Sequence, residues 1–207
     1  MSAVKKVLVV GGGIGGQSVA IALALKGVQV VIAERLKAFD VYGVGIIQQM
    51  NALRALDELG LADETMEQGF PYGQLKMFAS GGHFIGNAGA PPIGKYPSHN
   101  GISRRTLHEI MYKKANDLGV QYKMGVTVAS FENNENDVNV IFSDQTKDTF
   151  DILIASDGIK SDMRAMIFGA FEPRYMGVSV WRYAFKKHED LDTSYMYYGK
   201  RSKIGFV

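Results

Sequence analysis

Lys6-Val-Leu-Val-Val-Gly-Gly-Gly-Ile-Gly-Gly16 decides the fold of this chain. Val7 to Val10 is a short, unbroken, mostly β-branched run, the pattern of a central parallel strand covered on both faces. Gly11, Gly13 and Gly16 then satisfy G-x-G-x-x-G. In such a turn the first glycine allows the tight bend and the second lets a pyrophosphate approach the backbone. The third lets the following helix pack close to its strand. Ala20 and Ala24 continue the small-residue stripe, and the helix N-terminus presents free N–H groups and a positive dipole end to phosphate.

Glycine-rich turns also arise for packing alone, so the flanking residues carry the weight. Lys26-Gly27 reads as a basic last turn and a C-cap, and Val28 to Ala33 as a second buried strand ending at Glu34. Glu34 lies about 20 residues past the glycines, where a carboxylate accepts the ribose hydroxyls of an adenine dinucleotide. The alternative is a βαβ unit with packing glycines and a solvated Glu34. The coincidence of turn, strands and acid favours the dinucleotide, without yet separating FAD from NAD.

At 207 residues and 46% hydrophobic content the chain is long and apolar enough for one large domain or two small ones. A formal net charge of +2 with no long basic run gives no sign of nucleic acid as a partner. The absence of cysteine excludes disulfides, thiolate metal sites, cysteine nucleophiles and redox dithiols. Glycines clustered inside the apolar run from Val7 to Leu25 argue against a membrane anchor, so the expectation is a cytoplasmic protein with no membrane partner.

Further along, Asn51 to Leu59 and Ala62 to Gln68 carry helical patterns, and Pro71 blocks continuation of the second. Gln74 to Ala79 and His83 to Gly86 flank Ser80-Gly81-Gly82 as a hairpin, and a loop follows to Asn100. Arg104 to Leu118 is again helical. Val120 to Met124, Val126 to Glu132, Asp137 to Ser143 and Thr149 to Ala155 read as strands, the last a single buried one. A helix starts near Ser161, and Arg174 to Phe185 has an extended pattern. The four histidines, His83, His99, His108 and His188, lack metal-ligand spacing and read as surface or hairpin residues, with no metal site. Asp190 and Asp192 beside Lys186-Lys187 read as a solvated turn. Tyr195, Tyr197 and Tyr198 alternate like a strand, with core packing favoured over an aromatic pocket.

At Asp157-Gly158-Ile-Lys-Ser161-Asp-Met-Arg164 the sequence resembles the D-G-x-x-S-x-x-R element of the group A, para-hydroxybenzoate hydroxylase-like FAD-dependent aromatic hydroxylases. Gly43-Val-Gly-Ile46 through Arg54, Ile102-Ser-Arg104-Arg-Thr-Leu107 and Tyr175-Met-Gly177 to Trp181-Arg182 are similar to further elements of that family. The resemblance implies an α/β fold: a Rossmann-like, glutathione-reductase-type FAD-binding domain over residues 1–72 and 101–172. An interleaved, incomplete β-sheet substrate domain would occupy 73–100 and 173–207.

It also implies a cofactor site. Gly11, Gly13, Ile14, Gly15 and Gly16 would hold the FAD pyrophosphate, Glu34 the ribose and Arg35 the edge of the adenosine site. Val128 would approach the adenine, Gly45 and Ile46 would line the isoalloxazine, and Arg104 would reach the FAD. Asp157 and Gly158 would sit near the ribityl-pyrophosphate region. A buried strand end makes that carboxylate need donors, and capping of the next helix is a concurrent role for Asp157.

Two departures from the family stand out. Ala155-Ser156 replaces the usual Gly-Ala, and the third flavin motif, a Gly-Asp pair before a proline- and glycine-rich turn, is missing. The expectation is therefore a truncated chain of a monooxygenase that uses NADH or NADPH and O2 to hydroxylate a small aromatic substrate. No side chain is assigned a catalytic role, because the flavin carries the chemistry. Another flavin oxidoreductase (epoxidase, halogenase or dehydrogenase) and a non-catalytic nucleotide-binding fragment that forms a homodimer are the alternatives.

Overall fold

The computed structural model describes residues 4–41, 43–186, 188–189 and 191–207. Met1, Ser2, Ala3, Tyr42, Lys187 and Asp190 lie outside the described residues, and with them part of the polar loop expected around Asp190 and Lys187. Packing gathers the chain into two compact units, Met1–Val41 with His108–Val180 and Tyr42–Leu107 with Trp181–Val207. Residues 43–72 thus pack with the second unit rather than the first.

The first unit opens with β1 (Lys6–Val10), α1 (Ile14–Ala24) and β2 (Gln29–Glu34). The chain then builds most of the second unit: β3 (Gly45–Gln49), α2 (Met50–Glu58), α3 (Ala62–Glu67), β4 (Phe70–Tyr72), β5 (Leu75–Ala79), β6 (Phe84–Ala88) and β7 (His99–Ser103). Helix α4 (Arg104–Asp117), which contains the division between units, leads to β8 (Gln121–Met124), β9 (Val128–Asn133), β10 (Val138–Phe142), β11 (Lys147–Phe150), β12 (Ile152–Ala155) and α5 (Asp162–Phe168). Strands β13 (Ser194–Tyr198) and β14 (Lys203–Phe206) complete the second unit.

In the first unit a parallel sheet runs in the order β12-β1-β2-β8. Central β1 is buried from Val7 to Val10, as its unbroken apolar run requires. A three-stranded antiparallel sheet, β11-β10-β9, shares a core with it in which Leu8, Val10, Val31 and Ala33 meet Val128, Val140, Phe142 and Phe150.

The second unit contains a mixed sheet, β14-β13-β5-β6, and an antiparallel one, β3-β7-β4. The stretch ending at Asn100, expected to be loop, runs into β7. Pro71 sits in β4, an edge strand, where its missing N–H costs no ladder bond.

The single strand expected over Thr149–Ala155 is two. Asp151 divides them: its Oδ2 accepts the backbone N–H groups of Lys5 and Lys6, each at 2.7 Å, and its own N–H donates to Lys6 O. The chain thereby leaves the antiparallel sheet after β11 and joins β1 through β12. As an edge strand β12 is not the buried strand expected: Ile152 is 40% exposed, Ala155 is exposed, and Leu153 and Ile154 are only half-buried. The extended pattern over Arg174–Phe185 forms no strand, and its aromatic residues are exposed, Trp181 at 98%. No described helix is long and apolar enough to cross a membrane.

Candidate functional site

Three strand ends of the first unit meet at one cavity of about 270 Å³. Val10, Gly11 and Gly13 follow β1, Ala33 to Leu36 end β2, and Ser156 to Gly158 follow β12; Thr127, Lys160 and Asp162 complete the wall. The carboxyl ends of parallel strands are where open α/β sheets bind ligands.

The glycine turn has the geometry that its sequence demands. Gly11 has φ +102°, and a Cβ there would lie 2.5 Å from Ser156 O. A Cβ on Gly16 would stand 1.9 Å from Gly11 O, so α1 crosses the turn at a separation only glycine permits. At Gly13 an added Cβ would meet nothing within 4 Å, and this residue lines the cavity. Gly13 is also the N-cap of α1, which has no side-chain cap and no acid in its first turn. Space and uncompensated N–H groups therefore coincide, as binding of a phosphate at a helix N-terminus requires.

Both acids expected at the site are held by the chain itself. Glu34, 8% exposed, accepts Gly12 N–H at Oε2 (2.8 Å) and Leu36 N–H at Oε1 (2.9 Å). Each oxygen keeps a further lone pair for a ligand hydroxyl. Asp157 accepts Ser161 Oγ–H at Oδ1 (2.6 Å) and Met163 N–H at Oδ2 (3.0 Å), while Ser161 Oγ caps α5 by accepting Arg164 N–H. The helix-capping role is thus present, and Asp157 lines the cavity as well.

Of the residues expected at a cofactor, Gly11, Gly13, Glu34, Arg35, Asp157 and Gly158 share this cavity. Ile14, Gly15 and Gly16 form the first turn of α1 beside it. Val128 places its side chain in the core, 2% exposed, and its neighbour Thr127 reaches the wall instead. Ser156 sits where the family has a smaller residue, and its Oγ would be 3.1 Å from a Cβ on Gly15.

Gly45, Ile46 and Arg104 belong to the second unit. There Gly45 and Ile46 pair with Ser103 and Ile102, Gly45 O accepts from Arg182 Nη1 (3.2 Å), and the buried Nε of Arg104 has no partner among the described residues. A separate open cavity of about 300 Å³ in that unit is lined by Phe185, His188, Leu191, Tyr195, Tyr197 and Phe206. Tyr195 and Tyr197 are therefore cavity walls rather than core, and Tyr198 is exposed. Asp192 meets Lys76 at 3.5 Å, an exposed pair of small energetic weight.

Two histidines depart from the surface expectation. His99 lies in β7, its ring stacked 5.1 Å from that of Tyr72, and burial pushes its pKa below the usual histidine value. His108 is 5% exposed, packs at 4.5 Å on Phe39, and meets Gln17 and Gly12 O. Its spacing with Met111 and Ala115, three and seven residues on, marked the buried face of α4. Gln17 was visible too, as a polar residue within an apolar helix.

The family described as FAD binding domain matches residues 5–188. YetM of Bacillus subtilis (strain 168), classed with the FAD-dependent monooxygenases, is 33% identical over 207 residues, covering 98% of this chain and 56% of its own. The 3-hydroxybenzoate 6-hydroxylase 1 of Aquipseudomonas alcaligenes is 28% identical over 182 residues, 85% of this chain and 46% of its own. Among solved structures, CtdE in complex with FAD superposes with a TM-score of 0.78 at 22% identity, over 98% of this chain and 55% of that one, a likeness of fold. The chain spans about half the length of these relatives.

Proposed function

The chain belongs to the FAD binding domain family, and from that premise we propose that it is the flavin-holding part of a monooxygenase that hydroxylates a small aromatic compound. The observation that carries this reading is the convergence of Gly11, Gly13, Glu34, Arg35, Asp157 and Gly158 on one cavity at three strand ends. In the proposed complex the first turn of α1, from Gly13 to Gly16, holds the pyrophosphate and Glu34 accepts the ribose hydroxyls. Arg35 borders the adenosine, the backbone beside Val128 and Thr127 approaches the adenine, and Asp157 with Gly158 flanks the ribityl-pyrophosphate stretch. Gly45 and Ile46 keep the role that the family resemblance gives them, lining the isoalloxazine, and Arg104 that of reaching the FAD.

When bound, the flavin supplies oxygen activation after reduction by a nicotinamide. The proposed reaction consumes substrate, NADH or NADPH, O2 and a proton, and yields hydroxylated substrate, the oxidised nicotinamide and water. The protein's part is to bind, orient and exclude water. An aromatic substrate is supported by the hydroxybenzoate hydroxylase among the relatives and by the cavity walled by Phe185, Tyr195, Tyr197 and Phe206, whose size suits a single ring. A cytoplasmic setting fits a nicotinamide-fed reaction.

The test is flavin content. The purified chain is expected to carry a flavin absorbance spectrum or, as the apo form, to bind FAD and not NAD. Product analysis with phenolic acids, NADPH and O2 then separates hydroxylation from epoxidation or halogenation. A chain that binds a dinucleotide, yields no product and sediments as a tight dimer would instead support the non-catalytic alternative.

A further inference from the structure

We infer that His108 and Gln17 are positioning residues that orient the glycine turn toward the dinucleotide phosphate, an inference that rests on the flavin reading above. Gln17 of α1 is fully buried and His108 of α4 nearly so. Gln17 Nε2 lies 3.1 Å from Gly12 O and 2.6 Å from His108 Nε2, and His108 Nε2 lies 2.9 Å from the same carbonyl. The shortest edge, Gln17 Nε2 to His108 Nε2, is a hydrogen bond when the imidazole carries its proton on Nδ1 and accepts at Nε2. The 2.9 Å approach of Nε2 to Gly12 O then joins two acceptors and carries no hydrogen bond. One Gln17 N–H then donates to Gly12 O and the other to His108 Nε2. With the proton on Nε2, two donors would face each other at 2.6 Å. His108 thus fixes which way the Gln17 amide faces, and Gln17 fixes the Gly12 carbonyl.

The carbonyl matters because it shares a peptide with Gly13. No cis peptide is present among the described residues, so Gly12 C=O and Gly13 N–H lie in one plane and point in opposite directions. Holding the oxygen toward α4 turns the Gly13 N–H the other way, on the residue whose missing side chain leaves room for the phosphate. On the other side of Gly12, its N–H is held by Glu34 Oε2. The turn is therefore clamped from both directions by side chains, although its glycines have the most conformational freedom to lose.

Phe39 closes over this arrangement. Its ring would lie 2.8 Å from a Cβ on Gly12 and is 4.5 Å from the His108 ring. With water kept away, an amide facing the wrong way has no substitute partner.

The experiment uses FAD and the 207-residue chain, reading affinity by flavin fluorescence quenching and the phosphate environment by the 31P resonances of bound FAD. His108→Ala is expected to weaken FAD about ten-fold, the effect of one misdirected neutral hydrogen bond, and to shift the pyrophosphate resonances. His108→Gln, which keeps an acceptor for the Gln17 amide, restores both. Gln17→Met, of similar volume without a donor, reproduces the alanine result and decides the matter should His108→Ala not fold. Unchanged 31P resonances in variants that only melt earlier would reduce the pair to a lock between α1 and α4 and overturn the inference, as would unchanged affinity. A parent chain that fails to bind FAD overturns the flavin reading itself, a separate outcome read before any variant is made.

Discussion

At the scale of single residues, the glycine turn separates folding from binding. Gly16→Ala drives a methyl group to 1.9 Å from Gly11 O, against backbone that cannot yield, and is expected to lower stability by about 3 kcal/mol or more in a urea melt. Gly13→Ala adds the same methyl group into open space, so its melt should match the parent while FAD affinity falls at least ten-fold. Similar losses of stability in both variants would show that the space at Gly13 is not the ligand's. Glu34→Gln replaces an oxygen with an NH2 facing either Gly12 N–H or Leu36 N–H. It is expected to cost about 1–3 kcal/mol of stability together with FAD affinity, measured by denaturation and fluorescence titration on one sample. The glycines and Glu34 were legible in the sequence because a turn with positive φ and a strand-end acid each restrict residue choice locally. His108 was misplaced on the surface because its partners, Gln17 and Gly12, lie some 90 residues away and only the fold brings them together.

Among the elements, the junction of β11 and β12 has the clearest pH signature. The backbone N–H groups of Lys6 and then Lys5 hold the Asp151 carboxyl below the usual carboxylate range. A depressed folded value means that the ionised form contributes stability above the unfolded pKa of about 3.9. That contribution is lost as pH falls through the folded value. Urea midpoints from pH 6 down to pH 2 should therefore drop more steeply for the parent than for Asp151→Ala, and parallel curves would sink the assignment. The same junction shows why one strand was expected where there are two. Thr149 to Ala155 reads as a nearly continuous strand, and the switch between sheets depends on amides at positions 5 and 6, contributed from across the fold. The helices were easier to place, since Leu53 and Leu56 in α2 and Leu107, Ile110, Met111 and Ala115 in α4 mark buried faces at helical spacing. Strand β4 was hidden by Pro71 and β7 by the glycine, proline and asparagine around it.

For the molecule as a whole, each unit is assembled from two separated stretches of chain. In the first unit Val7 pairs with Ile152 and Val31 with Gln121, so its central sheet closes only after most of the chain is available, a topology that folds slowly. The one tryptophan offers a further check: Trp181, 98% exposed, should emit at the wavelength of free indole in water and be quenched fully by iodide. Blue-shifted, protected emission would contradict that exposure. The cavity at the three strand ends of the first unit was readable in advance because G-x-G-x-x-G, Glu34 and Asp157-Gly158 each sit at the end of a readable strand. The aromatic cavity of the second unit was less legible: the alternation of Tyr195 and Tyr197 marks a strand but suits core packing equally, and Phe185 and Phe206 share no local pattern with it. Finally, Glu34 and Asp157 are each held by the chain itself, the one by backbone amides and the other by the start of its helix. Little rotamer entropy remains to be surrendered at these two acids, so in stopped-flow mixing the capture of the adenosine end should be one bimolecular step, its rate linear in dinucleotide concentration with no slow isomerisation behind it.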